Sequence, residues 1–263
     1  MVKVLDILAA LREFAPVERK MDFDNVGLLA GFTQHQVGKI LVSLDITDDV
    51  ISEAIEQRAE LLVSHHPLFF SINSVTDADR TGQKLVRLLS NGMSAICMHT
   101  NLDAAEGGVN DALAEAAGLT DIGLLTEEGR DGAGMPFSCG RVGSLTESMQ
   151  LHDYLLWLKN RLKSNGLRYH DAGLPVRRVA VVGGSGGSYL KYALAQGCDT
   201  LITADIKYDV FLEAKEMNIN LVDADHFCTE NVVTPVLARR LAESFPEIDI
   251  SVSKRHGQTV KFI

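Results

Sequence analysis

"KILVSLDITDDVISEAIEQRAELLVSHHPL", residues 39–68, decides the fold class. The apolar run at 39–46 reads as a strand, "DDVISEAIEQRA" (48–59) places apolar residues at helical spacing, and "ELLVSHH" (60–66) is a second apolar run too short for a helix. Strand, turn, helix, strand is the building unit of an α/β sheet. The order continues with a helix over 82–92 and a strand over 94–100. It returns later as strand 177–184, helix 188–197, strand 199–206, helix 208–217 and strand 219–226.

Laid without a gap over "RVAVVGGSGGSYLKYALAQGCDTLITADIK" (178–207), the opening stretch puts "LLVSHH" on "TLITAD". Farther along, "HTNLD" (99–103) falls on "HFCTE" (226–230), each a His followed four residues later by a carboxylate. If each opens a helix, its two polar side chains share one face, a turn apart. The expectation is an α/β chain of two similar lobes related by an internal pseudo-repeat and facing a shared metal cleft, because ligands of open α/β sheets gather at the carboxyl ends of strands. The N-terminal lobe is expected over 1–125 and the C-terminal lobe over 126–263, with 126–176 as a linking segment that adds edge structure. The two lobes are expected to form one compact unit.

Composition narrows the function. The 263 residues carry 25 Lys and Arg against 35 Asp and Glu, a net charge of −10, and no basic cluster that would track a phosphate backbone, so nucleic acid is not an expected partner. No apolar run reaches the roughly 18 residues of a membrane span, and "MVKVLDILAALREF" lacks the apolar core of a signal peptide. Cys97, Cys139, Cys198 and Cys228 stand far apart without CxxC spacing, which reads as reduced thiols in a cytoplasmic protein.

The polar residues at predicted strand ends are His65, His66, His99, Asp103, Asp205, His226 and Glu230. Imidazole with carboxylate is the donor set of hydrolytic Zn, Mn, Fe, Co or Ni sites, and five such residues suffice for two ions. Adjacent histidines in a regular strand point to opposite faces, but Pro67 after His66 favours a break there that lets both turn one way. The competing bland reading, for each histidine alone, is a hydrogen-bonded core residue.

With "DFDNVGLLAG" (22–31), "SHHPLFF", "MHTNLDAAEGGVNDALAEAAGL" (98–119), "GGSGGSYL", "ITADIKY" and "DADHFCTEN" (223–231), the chain resembles the Nif-three-like family of dinuclear-metal hexameric proteins, whose members are often called GTP cyclohydrolase I type 2 homologues. The resemblance spans nearly the whole chain and is weakest over 121–175. It implies two divalent metal ions per chain, held by His65, His66, Asp103, His226 and Glu230, with Glu230 bridging. It leaves His99 as a catalytic proton-transfer or orienting group, and it implies a homohexamer. Two departures stand out: Phe23 replaces the family's usual Trp, and Asp225 its Gly before the ligand histidine.

Other segments carry less. "VVGGSGGSYL" (181–190) opens a helix after a strand, as a phosphate cradle would, but lacks the third glycine of GxGxxG and any Walker Lys, so a tight turn is an equal reading. The helix over 107–119 reads as packing, Asp205 and Lys207 as an ion pair or substrate contacts, and Cys97 and Cys228 as buried apolar groups. The expected function is a metal-dependent hydrolase acting on a small phosphate-bearing or nucleotide-like substrate. The rival is a non-enzymatic metal reservoir, chaperone or regulatory scaffold.

Overall fold

The computed structural model describes residues 1–263. In chain order the first elements are α1 (Val4–Phe14), β1 (Gly27–Ala30), β2 (Lys39–Ser43), α2 (Asp48–Gln57), β3 (Leu61–Ser64), α3 (Arg80–Ser90), β4 (Ser94–Cys97), α4 (Thr100–Ala104) and α5 (Val109–Ala116). Then come β5 (Thr120–Leu124), β6 (Gly129–Arg130), β7 (Pro136–Phe137), β8 (Arg141–Met149), α6 (Leu151–Leu162), β9 (Arg168–His170), β10 (Val176–Val181) and α7 (Leu190–Ala195). The last are β11 (Thr200–Thr203), α8 (Tyr208–Met217), β12 (Asn220–Asp223), α9 (His226–Glu230), α10 (Thr234–Ser244) and β13 (Asp249–Val252). This is the α/β class read from the opening stretch.

The chain divides into one unit of residues 1–105 and 234–257 and another of 106–233 and 258–263. The division therefore falls 20 residues before the expected 125/126 boundary, and the chain returns to the first unit near its end. Sheet pairing is the reason: β5 pairs with β8 of the second unit, and β13 pairs with β2 of the first.

In the first unit the sheet runs β1-β4-β3-β2-β13, with β13, β2, β3 and β4 parallel and β1 antiparallel on β4. Both β3 and β4 are buried along their whole length, as parallel strands covered on two faces must be, which is why "LLVS" and "SAIC" are nearly continuous apolar runs. The helix between β2 and β3 starts where Thr47 Oγ1 accepts from the Val50 amide at 3.2 Å, with Asp48 and Asp49 favourably placed in its first turn. Leu41, Val50, Ile51, Ala54 and Leu62 close the core between helix and sheet.

In the second unit the order is β5-β8-β10-β11-β12-β9. Strands β10, β11 and β12 are parallel, and β8 and β9 flank them antiparallel. The segment 126–176 contributes an edge strand, β9, as expected, but β8 lies inside the sheet between β5 and β10, so it is core structure as well as a link. Val142 and Leu145 bury that strand in two different cores, Val142 with Ala180 and Leu190 and Leu145 with Leu119 and Val179. The helix expected from 188 begins as a 3-10 turn over Gly187–Tyr189 and becomes α7 at Leu190. No helix of the chain is long and apolar enough to cross a membrane.

Candidate metal centre

Each proposed ligand sits just past the carboxyl end of a parallel strand or on the short helix that follows one. His65 and His66 follow β3, which ends at Ser64; the His65 amide bonds Ser43 O at 3.4 Å and the His66 amide bonds Leu44 O at 2.9 Å. With the ladder ending there, the two rings lie 4.9 Å apart at 44°. His99 follows β4 and its ring stands 5.2 Å from that of His65 and 5.5 Å from that of His66. One ring nitrogen from each of the three lies within 4.8 Å of the others, close enough to share an ion. Asp103, on α4, brings Oδ1 to 3.6 Å from His65 Nε2.

His99 and Asp103 do not pair as the four-residue spacing suggested. His99 caps α4 with φ −102° and ψ −113°, outside the helix, so its ring leaves the face that carries Asp103. Its Nδ1 lies 2.8 Å from Asp24 Oδ1, whose other oxygen accepts from the Thr100 amide and hydroxyl. Burial pushes the Asp24 carboxyl up, but these hydrogen bonds and the His99 charge outweigh it and hold the group well below the usual carboxylate range.

In the second unit the spacing works as read. His226 and Glu230 are the first and last residues of α9, and His226 Nε2 lies 3.0 Å from Glu230 Oε2. His226 Nδ1 is 2.7 Å from Asp205 Oδ2, an oxygen that also accepts from Ser185 Oγ at 2.6 Å. Burial would lower the His226 pKa, but hydrogen bonds and charge from Glu230 and Asp205 push it up to about 9. Asp225, which precedes α9, takes φ +73° and ψ 133° while its side chain caps the Cys228 amide at 3.1 Å.

The histidine supports share one logic. His65 Nδ1 faces Met98 O at 3.0 Å, His66 Nδ1 faces Asp45 Oδ1 at 2.8 Å and His226 Nδ1 faces Asp205. An oxygen acceptor at Nδ1 holds the proton there and leaves Nε2 as the donor atom for a metal. Burial pushes the Asp45 carboxyl up, yet His256 and His66 outweigh it and keep it well below its usual range.

The sequence profile described as Duf34/NIF3 (NGG1p interacting factor 3) matches residues 2–258. The chain belongs to this family. Among its relatives, a Clostridium acetobutylicum protein named GTP cyclohydrolase 1 type 2 homolog is 34% identical over 267 residues, covering 99% of each chain. A Clostridium perfringens protein of the same name is 35% identical over 266 residues, covering 100% of each. A solved Bacillus cereus protein related to NIF3 superposes with a TM-score of 0.93 at 23% identity, covering 100% of this chain and 99% of that one. A Staphylococcus aureus hypothetical protein gives 0.92 at 28% identity and 99% coverage of each.

In this Duf34/NIF3 chain the glycine-rich loop is a tight packing turn. The amides of Gly183, Gly184 and Gly186 are taken by Asn110 Oδ1, Thr229 Oγ1 and Thr203 Oγ1 at 2.7, 3.1 and 2.7 Å, so they form no cradle for phosphate. Gly184, at φ +62°, lets the backbone pass close to Glu230. The helix over 107–119 packs as read, with Val109, Asn110 and Leu113 buried. Asp205 turns to His226 and Ser185, which places it behind a proposed ligand. Burial pushes the Cys97 thiol far up and the Cys228 thiol to about 12, so neither is a ready thiolate donor.

Sequence reasoning missed Asp24, Asp45 and His256. Asp24 lies in "DFDNVGLLAG", and Asp45 lies near the end of the strand expected over 39–46, which in the structure stops at Ser43; a carboxylate at the polar end of an apolar run is the signal that could have marked it. His256 had none: its partner Asp45 is 211 residues away.

Proposed function

We propose that this chain is a metal-dependent hydrolase for a small phosphate-bearing or nucleotide-like substrate, with two divalent ions (Zn, Mn, Fe, Co or Ni) held by His65, His66, Asp103, His226 and Glu230. The observation that carries the reading is the shared support of the imidazoles: His65, His66 and His226 each have Nδ1 set against an oxygen, which presents Nε2 as a ligand atom. The donor set of imidazole and carboxylate, free of thiolate, fits such ions. The room that Gly184 leaves for the Glu230 carboxylate fits them too, since a Cβ there would fill it. Bound divalent cations supply Lewis-acid polarisation of a phosphoryl or ring-carbon electrophile and activation of water.

His99 is the proton-transfer group in this reading. Asp24 fixes its Nδ1, leaving the other ring nitrogen to take or give a proton at the reacting atoms. Exposed Phe23 and Phe70, with ring centroids 6.1 Å apart and planes tilted by 55°, and Phe70 5.9 Å from His99, offer aromatic faces against which a heterocycle can pack. With the amides of Gly183, Gly184 and Gly186 already bonded, a substrate phosphate falls chiefly to the cations. The relatives' name, GTP cyclohydrolase 1 type 2 homolog, supports hydrolytic chemistry in general; GTP itself is not proposed, because the glycine-rich loop carries no Walker Lys. Homohexameric assembly and a cytoplasmic location belong to the same proposal, supported by the family and by four buried free cysteines; native mass tests the assembly.

The test is metal analysis with turnover. Chain purified without chelator is assayed for metal and against a panel of phosphate esters and nucleotides, beside Glu230→Gln and His99→Ala. The reading expects about two ions per wild-type chain, no turnover in Glu230→Gln, and metal retained but turnover lost in His99→Ala. Metal bound without turnover on any substrate would replace it with the non-enzymatic reservoir or scaffold, and no metal after reconstitution would end both.

A further inference from the structure

The chain's C-terminal stretch past β13 is fastened beside a proposed ligand by three sets of contacts. The Ser253 amide continues the sheet by bonding Val42 O at 2.8 Å. Glu53 on α2, buried to 4% exposure, accepts from the Ser253 hydroxyl and from the amides of Lys254 and Arg255 at 3.1 and 3.2 Å. The Arg255 guanidinium pairs with Glu56. The next residue is His256, whose ring nitrogen Nε2 is delivered to 2.7 Å from Asp45 Oδ2. Asp45 Oδ1 is the atom that faces His66 Nδ1 at 2.8 Å.

We infer that His256 is a positioning residue of the metal site: it fixes Asp45, and through Asp45 it holds His66 with Nδ1 protonated and Nε2 presented to a cation. This rests on the reading of His66 as a ligand. A carboxylate with one partner can swing about its terminal torsion and offer either oxygen, whereas one held at both oxygens by two rings has a fixed plane. The second unit has a looser counterpart: Asp205 supports His226 through Oδ2 and accepts from Ser185 Oγ at 2.6 Å on that same oxygen. Each carboxylate behind these two proposed ligands thus has a second donor, but only Asp45 is held at both oxygens. The backbone contacts to Glu53 and the sheet bond to Val42 already fasten the segment, so the imidazole at 256 is needed for Asp45 and not for anchoring.

The experiment measures zinc affinity by chelator competition, and the His66 tautomer by nitrogen-15 NMR of the metal-free protein, in wild type, His256→Ala, His256→Gln and the control Arg255→Ala. The expected result is a wild-type His66 protonated at Nδ1. His256→Ala should mix the tautomers and weaken zinc about tenfold. His256→Gln, whose amide can donate to Asp45 Oδ2, should restore most of both, and Arg255→Ala should change neither. A His256→Ala chain with wild-type zinc affinity and an unmixed tautomer would overturn the inference. So would equal losses in the Ala and Gln variants at equal melting temperature, since the imidazole would then act only by filling space. Wild type that binds no zinc refutes the metal reading instead, and the metal-free tautomer comparison still decides whether His256 orients His66.

Discussion

A Cβ placed on Gly184 would lie 2.2 Å from Glu230 Oε1, far inside van der Waals contact. The loop after β10 is therefore shaped around the carboxylate that closes α9. Gly184→Ala must move Glu230, and its φ of +62° adds about 1 kcal/mol of backbone strain. The variant should melt a few degrees lower and lose a large part of its bound metal in elemental analysis. Wild-type metal content at full occupancy would show that the Glu230 position is not required.

Asp225 lies at φ +73° and ψ 133°, a region costly for any residue with a side chain. Replacing it by glycine removes its cap on the Cys228 amide, a loss of a few tenths of a kcal/mol, and relieves strain of about 1–3 kcal/mol. The strain term is larger, so Asp225→Gly should raise the urea midpoint, by about 1 kcal/mol in stability. A lower midpoint would mean that the cap outweighs the strain.

His226 carries a pKa raised from 6.5 to about 9, because Glu230 and Asp205 outweigh its burial. In metal-free protein its contribution to stability is complete below pH 6.5 and is lost as pH rises through 9. Metal must displace that proton, so affinity should climb with pH over the same window. NMR titration of the His226 ring, expected to move near pH 9 in wild type and lower in Asp205→Asn, checks the assignment. A midpoint at the ordinary value would refute it.

Asp24 serves His99 and both the amide and hydroxyl of Thr100, with 7% of its surface exposed. Asp24→Ala leaves two buried donors of Thr100 without their acceptor and should cost about 2 kcal/mol or more in thermal or urea unfolding. Because its carboxyl is held below its usual 3.8, the stability it contributes is present above pH 3.8 and falls away as pH drops through the lowered value. The gap between wild type and Asp24→Asn in melting temperature should therefore narrow below pH 3.8. A gap constant down to pH 2 would contradict this.

Much of the architecture was legible in local pattern. Apolar runs of four to six residues alternating with amphipathic helices give β2-α2-β3 and β10 to β12, because neighbours three, four or two apart suffice to declare which face is buried. The pair His226 and Glu230 was legible for the same reason: both lie within one short helix, where four residues make a turn. His99 and Asp103 share that spacing and part company, since His99 caps its helix with non-helical dihedrals and turns to Asp24, 75 residues away. The support of His66 was beyond any local pattern. Asp45 and His256 meet because β13 pairs with β2 and buried Glu53 fastens the backbone after it, contacts about 200 residues apart in the chain. Periodicity and spacing state which atoms face the core or share a turn. Only the closing of the sheet, where an open strand edge and a buried carboxylate must both find partners, decides which distant side chain stands behind a ligand.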